Sequence, residues 1–415
     1  MTAEESNGRS PEAPPLHRRS RRRWLFAVTA VFLFGVVSAA GYAVSRGPEA
    51  RESPEGWQVI RPPREVSALA EWRGFVWAGG ADGLYAIGPA GSEPTPGAVA
   101  SLEGAAHLRY ISSLLVDRQG RLWVGHDAGV TVYAPQPPMN GGASGGKTGP
   151  TLAGAQDTVP ALSYTVADGL PHSMVRCLAE DSTGRIWAGT YRGAAVIEDG
   201  RIAVVDSVGG LMGDAVSVIL ADSSGGLWFG ATEAPRGGLS LLADGSWQYF
   251  TTENGMPHNN INALMEDDDG AVWVATGFYD RGGVARLVAD RGGAVSRAAA
   301  AGGEGHRHWV VAVTWDRTSG MPGAKARSLF QTVDGCLWVG TEYDGVLRVP
   351  PCEFKGGLPP AELRGRVFTR ANGLAHNEVK VMLQDADGNL WLGTSDGLTR
   401  ITASVLARMT GNGVD

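Results

Sequence analysis

The chain carries two kinds of apolar pattern. Residues 24–44, WLFAVTAVFLFGVVSAAGYAV, run without a charge. About 20 consecutive apolar residues are what an α-helix needs to cross the hydrocarbon core of a membrane. Beyond residue 56 the apolar runs are short, rich in Val, Leu, Ile and Trp, and bounded by Gly and Asp. Such runs predict β-strands joined by tight turns.

The strands repeat. DSTGRIWAGTYRGAAVI from Asp181 and DADGNLWLGTSDGLTRI from Asp385 are the clearest copies of one unit. Others start at Asp117, Asp222 and Asp267, with looser copies at Glu71 and Thr332. The shared tryptophan is Trp77, Trp123, Trp187, Trp228, Trp273, Trp338 and Trp391. Most spacings fall near the roughly 40–50 residues of a four-stranded propeller blade, so seven copies predict seven blades. In each unit an inner strand, such as 216–220, ends in Asp-x-x-Gly, where Asp caps a turn and Gly supplies positive φ. The second strand carries the Trp, a large surface for the wedge between blades. A third strand such as 194–198 and a fourth such as GSWQYFTT (245–252) complete the unit. A lone blade cannot bury both faces, so the units must stack into a ring.

The last copy has no clear fourth strand. Gly56-Trp57-Gln58-Val59-Ile60 resembles Gly245-Ser246-Trp247-Gln248-Tyr249-Phe250, so residues 56–61 are expected to supply the outer strand of the final blade. The expected architecture is all-β: a seven-bladed β-propeller of four-stranded blades over 56–402, preceded by one N-terminal transmembrane helix at 24–44. Residues 1–23 form a basic tail, 45–55 a tether and 403–415 a C-terminal tail.

Charge sharpens the location. Residues 1–50 hold a surplus of three cations, whereas acids outnumber bases by ten in the remainder. The cluster Arg18-Arg19-Ser20-Arg21-Arg22-Arg23 directly precedes the apolar run and stays cytoplasmic by the positive-inside rule, so the body is exported. The expected location is the cytoplasmic (inner) membrane, single-pass, with the propeller on the periplasmic side. Cleavage near Val37-Ser38-Ala39 and twin-arginine export through Ser20-Arg21-Arg22-Arg23-Trp24-Leu25 are alternatives with the same destination. An acidic body excludes a broad nucleic-acid surface.

The unit D-x-x-G-x-L-W-x-G-T-x-x-G-L, with lead-ins DGLPHSMV (168–175), NGMPHNNI (254–261), SGMPGAKA (319–326), NGLAHNEV (372–379) and the weaker GGLMGDAV (209–216), resembles the two-component regulator propeller repeat. The resemblance covers nearly all of 56–401. It implies an extracytoplasmic sensor module, of a kind often fused to a histidine kinase. No kinase, helical linker or DNA-binding segment follows the propeller up to Asp415, so a separate membrane or envelope signalling partner is expected.

In a propeller, the loops into the inner strands and the turns between second and third strands surround one mouth of the channel. Counting five residues back from each first turn gives Val66, Ser112, Arg176, Ser217, Asn262, Arg327 and Lys380. Arg176, Arg327 and Lys380 could converge on a small anionic ligand; the plainer reading is salt bridges between blades, with partners such as Glu378. His172, His258 and His376 share one place in three lead-in loops and fit structural roles better than a metal ring. Asp267-Asp268-Asp269-Gly270 and Asp385-Ala386-Asp387-Gly388-Asn389 lack the remaining calcium-loop ligands and read as turns of the repeat. No metal or cofactor is expected.

Insertions at 134–159, 290–308 and 350–364 fall between third and fourth strands and should emerge together on one face. Cys336 and Cys352 are equidistant from Asp344 in a predicted hairpin, a placement that allows a disulfide unless a bulge sends them to opposite faces. Cys177 is expected to be buried and inert. The leading function is a tethered ligand-sensing or protein-interaction propeller. The rivals are a propeller enzyme, for example a lyase resembling the streptogramin lyases, and a structural scaffold of the envelope.

Overall fold

The computed structural model describes residues 54–89, 99–101, 105, 108–134, 160–232, 237–290, 308–355 and 363–411. The expected span at 24–44 and most of the three insertions lie outside these residues. No described helix is long and apolar enough to cross a membrane.

The described strands form seven four-stranded antiparallel sheets. Blade 4 is representative: Val216–Ala221, Leu227–Ala231, Gly238–Ala243 and Ser246–Phe250 run in order from the inside of the ring to its rim. Blade 7 is closed from the other end of the chain. Trp57–Ile60 pairs with Gly397–Ile401 in the register Trp57↔Ile401 to Ile60↔Leu398, the latch expected from sequence. Residues 403–411 differ from the expected tail. They form an α-helix, Ala403–Gly411, that buries Val405 and Leu406 in the same cluster as Trp57 and Trp338. The apolar spacing Val405, Leu406, Met409 marks that helical face.

The second strand is buried along its whole length in six blades, as in Leu227–Ala231, and in blade 5 up to Gly277, because it faces a neighbouring blade on each side. Its W-x-G segment explains how blades approach. A Cβ placed on Gly79, Gly125, Gly189, Gly230, Gly340 or Gly393 would lie 3.0 Å or less from an atom of Ile111, Val175, Val216, Ile261, Val379 or Val66 respectively. Each of those residues begins the inner strand of the next blade or, for Ile111 and Val66, lies two residues before it. The glycine is thus a socket for its neighbour's apolar knob. Blade 5 has Ala275 in place of the socket glycine, and the next knob is the small Ala326; both are fully buried in one cluster.

The first turn is held by its aspartate. In blade 4, Asp222 Oδ1 accepts from the backbone of Ser224 and Gly226 at 2.9 and 2.8 Å, while Oδ2 accepts from Trp228 Nε1 at 2.7 Å. Blades 2, 3, 5 and 7 repeat the Asp–Trp bond at 2.7–2.9 Å. In blade 6, Thr332 Oγ1 takes the role for Trp338 at 3.1 Å.

Candidate functional site at the channel mouth

The ring residues owe their direction to a backbone irregularity. In blade 3, Val175 pairs with Thr190 and Cys177 with Gly189, leaving Arg176 unopposed. Ser217, Asn262, Arg327 and Lys380 sit at the same bulge in blades 4 to 7. A bulge re-aims a side chain that regular pleating would place elsewhere. Ser112 immediately precedes the pair Ser113↔Gly125 and is the blade 2 counterpart.

Val66 does not belong to this ring. Blade 1 joins its first two strands by Arg73-Gly74 between the paired Trp72 and Phe75, a shorter turn than Asp-x-x-Gly, so counting back from it overshoots by one residue. Ala68↔Gly79 corresponds to Cys177↔Gly189, which makes Ser67 the seventh ring residue. Val66 is 0% exposed and is the knob over Gly393.

Six of the seven ring side chains reach into the following blade. The Ser112 hydroxyl donates to the Val175 carbonyl. Arg176 Nη1 donates to Thr232 Oγ1 at 2.7 Å, Ser217 Oγ to the Ile261 carbonyl at 2.6 Å, and Asn262 Nδ2 to the Ala326 carbonyl at 2.8 Å. Arg327 pairs with Glu378 at 2.9 Å, and Lys380 with Glu65. Ser67 bonds Glu65 within its own blade at 3.3 Å. Arg327 and Lys380 are therefore neutralised in place as inter-blade staples. Arg176 differs: among the described residues its partners are the Thr232 hydroxyl and the face of Tyr191, 4.7 Å from the guanidinium carbon.

The lead-in histidines build their loops. His172, His258 and His376 each accept, through Nδ1, the backbone N–H two residues on, at 2.8–3.0 Å. Burial lowers the pKa of His258 and His376, with Arg281 adding to the effect at His258. Among the described residues no group of three or more His, Cys, Asp or Glu is placed to hold a metal.

The predicted pairing of Cys336 with Cys352 is not formed; both thiols are free. The ladder ends at Leu337↔Val349, and Cys352 lies beyond it in a 3-10 turn, Pro351–Glu353. Cys336 and Cys177 are buried, which pushes each thiol up to about 12. A cavity of about 440 Å³ lies away from the mouth, between the first turns of blades 6 and 7 and the C-terminal helix, lined by Val333, Asp385, Gly388 and Leu406.

Sequence reasoning missed the aromatics of the mouth. Tyr110 in the lead-in loop of blade 2, and Tyr191, Phe278, Tyr279 and Tyr343 at the second turns of blades 3, 5 and 6, are all exposed. The signal was available: GTYRG, GFYDRG and TEYDG place tyrosine where a tight turn ordinarily takes Gly, Asn or Asp.

Residues 108–128, 169–192, 255–278 and 373–396 match the two component regulator propeller family. Four segments of the chain thus match this repeat. Each match spans a lead-in, a ring residue and the Trp-bearing strand. A search of the curated proteins finds no match. Among solved structures, the chain is similar to the extracellular domain of a hybrid two component system from B. thetaiotaomicron, at TM-score 0.62 and 17% identity. That likeness covers 86% of this chain but 42% of the other, so the chain spans about two fifths of that protein. It is also similar to virginiamycin B lyase from Staphylococcus aureus (TM-score 0.53, 15% identity, 83% of this chain and 98% of that one). A third is YCF48 in complex with a peptide (TM-score 0.52, 14% identity, 84% and 97%). At these identities the likenesses concern the fold.

Proposed function

We propose that this propeller is an extracytoplasmic recognition module, anchored through residues 24–44, that engages its target at the channel mouth and passes the signal to a separate membrane partner. The observation that carries the reading is an asymmetry between the faces. The outer strand begins at Trp57 beside the end of the third strand, where the Gly56 carbonyl accepts from Thr402 at 3.0 Å. The chain thus joins the propeller on the face of the Asp-x-x-Gly turns, and the mouth opens on the other. The mouth face is thus the one that the entering chain leaves free for a target in the envelope space. The similar hybrid system domain, described as extracellular, fits this placement.

The test is co-purification from the native membrane of the detergent-solubilised full chain and its Arg176→Ala variant. Arg176 is chosen because its contact with the next blade is one hydrogen bond to a neutral hydroxyl, whereas loss of Arg327 or Lys380 would leave an inter-blade carboxylate unpaired and confound binding with stability. Retention of a signalling membrane protein by the parent, and its loss from the variant at unchanged Tm, is the expected result. Retention of no partner by either, with metal-dependent turnover of a ligand, would transfer the reading to a lyase-like enzyme.

A further inference from the structure

The exposed aromatics are distributed unevenly over the molecule. Tyr110 is 61% exposed, Tyr343 68% and Tyr279 75%, with Tyr191 and Phe278 also exposed, and these five lie on the mouth face; a sixth exposed aromatic among the described residues, Tyr249, lies on the outer strand Ser246–Phe250 of blade 4. The five come from blades 2, 3, 5 and 6. Blades 2 and 5 are three apart, the largest separation a seven-membered ring allows.

Backbone strain coincides with two of them. Five described residues other than glycine have left-handed φ: Arg73, Tyr110, Asp199, Asp244 and Tyr279. Arg73, Asp199 and Asp244 each precede a glycine in hairpin turns on the opposite face. Tyr110 and Tyr279, at φ 49° and 53°, are bulky residues for which that conformation is unusual. Their rings gain little burial in return. Phe278 and Tyr279 also contact each other edge to face, with centroids 4.2 Å apart. Backbone strain held by an exposed side chain points to function.

The charges around the lip specify what it fits. Arg327 meets Glu378, Lys380 meets Glu65, Lys325 meets Glu342 at 2.9 Å and Arg61 meets Asp396 at 3.0 Å. Arg176 remains, among the described residues, with a hydroxyl and a ring face. Of the three ring cations, Arg176 is thus the one without a carboxylate partner among the described residues, and aromatic residues with arginine are the composition of the energetic centre of protein interfaces.

We infer that the aromatic lip formed by Tyr110, Tyr191, Phe278, Tyr279 and Tyr343 is a docking surface for a protein segment that lays an uncharged, apolar stretch across the mouth and places one carboxylate on Arg176. The inference rests on the recognition role proposed above and names the surface and chemistry of the partner.

The probe is a displayed library of random peptides panned against the full chain in detergent. Enriched peptides are expected to carry an Asp or Glu beside apolar or aromatic residues. Tyr279→Gly, Tyr110→Gly and Arg176→Ala should each weaken them about tenfold or more, and Val333→Ser, on the opposite face, should leave them unchanged. Because glycine accepts positive φ, the two Tyr→Gly variants should melt no lower than the parent, which separates lost binding from lost fold. Peptides that bind every variant equally would overturn the lip while leaving recognition by the propeller intact. Failure to enrich any peptide would also overturn it, with the co-purification above then deciding the broader role on its own.

Discussion

At the scale of single residues, the repeat is a hydrogen-bonding device as much as a packing one. The aspartate of Asp-x-x-Gly satisfies turn N–H groups and the buried indole of its Trp together, so neither residue is replaceable alone. Trp228→Phe keeps most of the ring contacts but leaves Asp222 Oδ2 without its donor, and it should cost about 1–3 kcal/mol in chemical denaturation. These carboxylates also set an acid limit. Burial alone would raise the Asp181 carboxyl, but donors from Trp187, Thr183 and Arg185 outweigh it and hold the pKa at about 2, below the ordinary 3.8. Asp117 and Asp334 are lowered in the same sense. A carboxyl depressed by folding contributes its stability in full above its unfolded value and loses it as pH falls through the folded one. Unfolding followed by tryptophan fluorescence should therefore show stability falling between about pH 4 and pH 2, and Asp181→Asn should make that fall shallower.

At the scale of elements, blades meet through three repeated contacts. On the mouth face are the bulge staples. In the middle are the glycine sockets and apolar knobs. On the opposite face, a residue at the end of an inner strand (the last, or in blade 1 the last but one) caps the preceding blade's first turn: Glu180 accepts from Arg118 N, Glu266 from Ser223 N, Gln331 from Asp268 N, Gln384 from Val333 N and Glu71 from Ala386 N, at 2.7–3.0 Å. The socket rule is open to a double-mutant cycle. Gly230→Ala forces a methyl against Ile261 and should cost about 1–3 kcal/mol. Ile261→Ala leaves a cavity and should cost about 2–5 kcal/mol. Because Ala275 with Ala326 is the arrangement already present at the next joint, the double variant should be more stable than the sum of the two by over about 0.5 kcal/mol. Strict additivity would refute the socket. Blade number, strand order and latch were legible in the sequence because the Trp and turn residues recur in the same order once per blade. The ring was legible in six blades of seven; Val66 misled because a shortened turn shifts the count without altering the apolar pattern. The partners of Arg327 and Lys380 were only partly legible, since Glu378 and Glu65 lie in neighbouring blades. The Cys336 and Cys352 placement failed because the hairpin ladder stops before either residue.

At the scale of the whole molecule, closure and orientation share one cause, the outer strand Trp57–Ile60. Trp57 bridges two blades, pairing with Ile401 and lying 5.5 Å from the Phe368 ring of blade 6. Trp57→Ala should cost about 3–5 kcal/mol and hasten amide exchange first in Gly397–Ile401; uniform exchange across blades would count against the latch. The same strand joins the chain to one face and leaves the other free. The account stands most directly on which face meets a partner. Photocrosslinking in intact cells, with a benzophenone amino acid placed singly at Tyr110, Tyr279, Val333 or Asp199, reads this out. The account predicts adducts to one protein from Tyr110 and Tyr279 and none from the other two positions. Adducts confined to Val333 or Asp199 would contradict it.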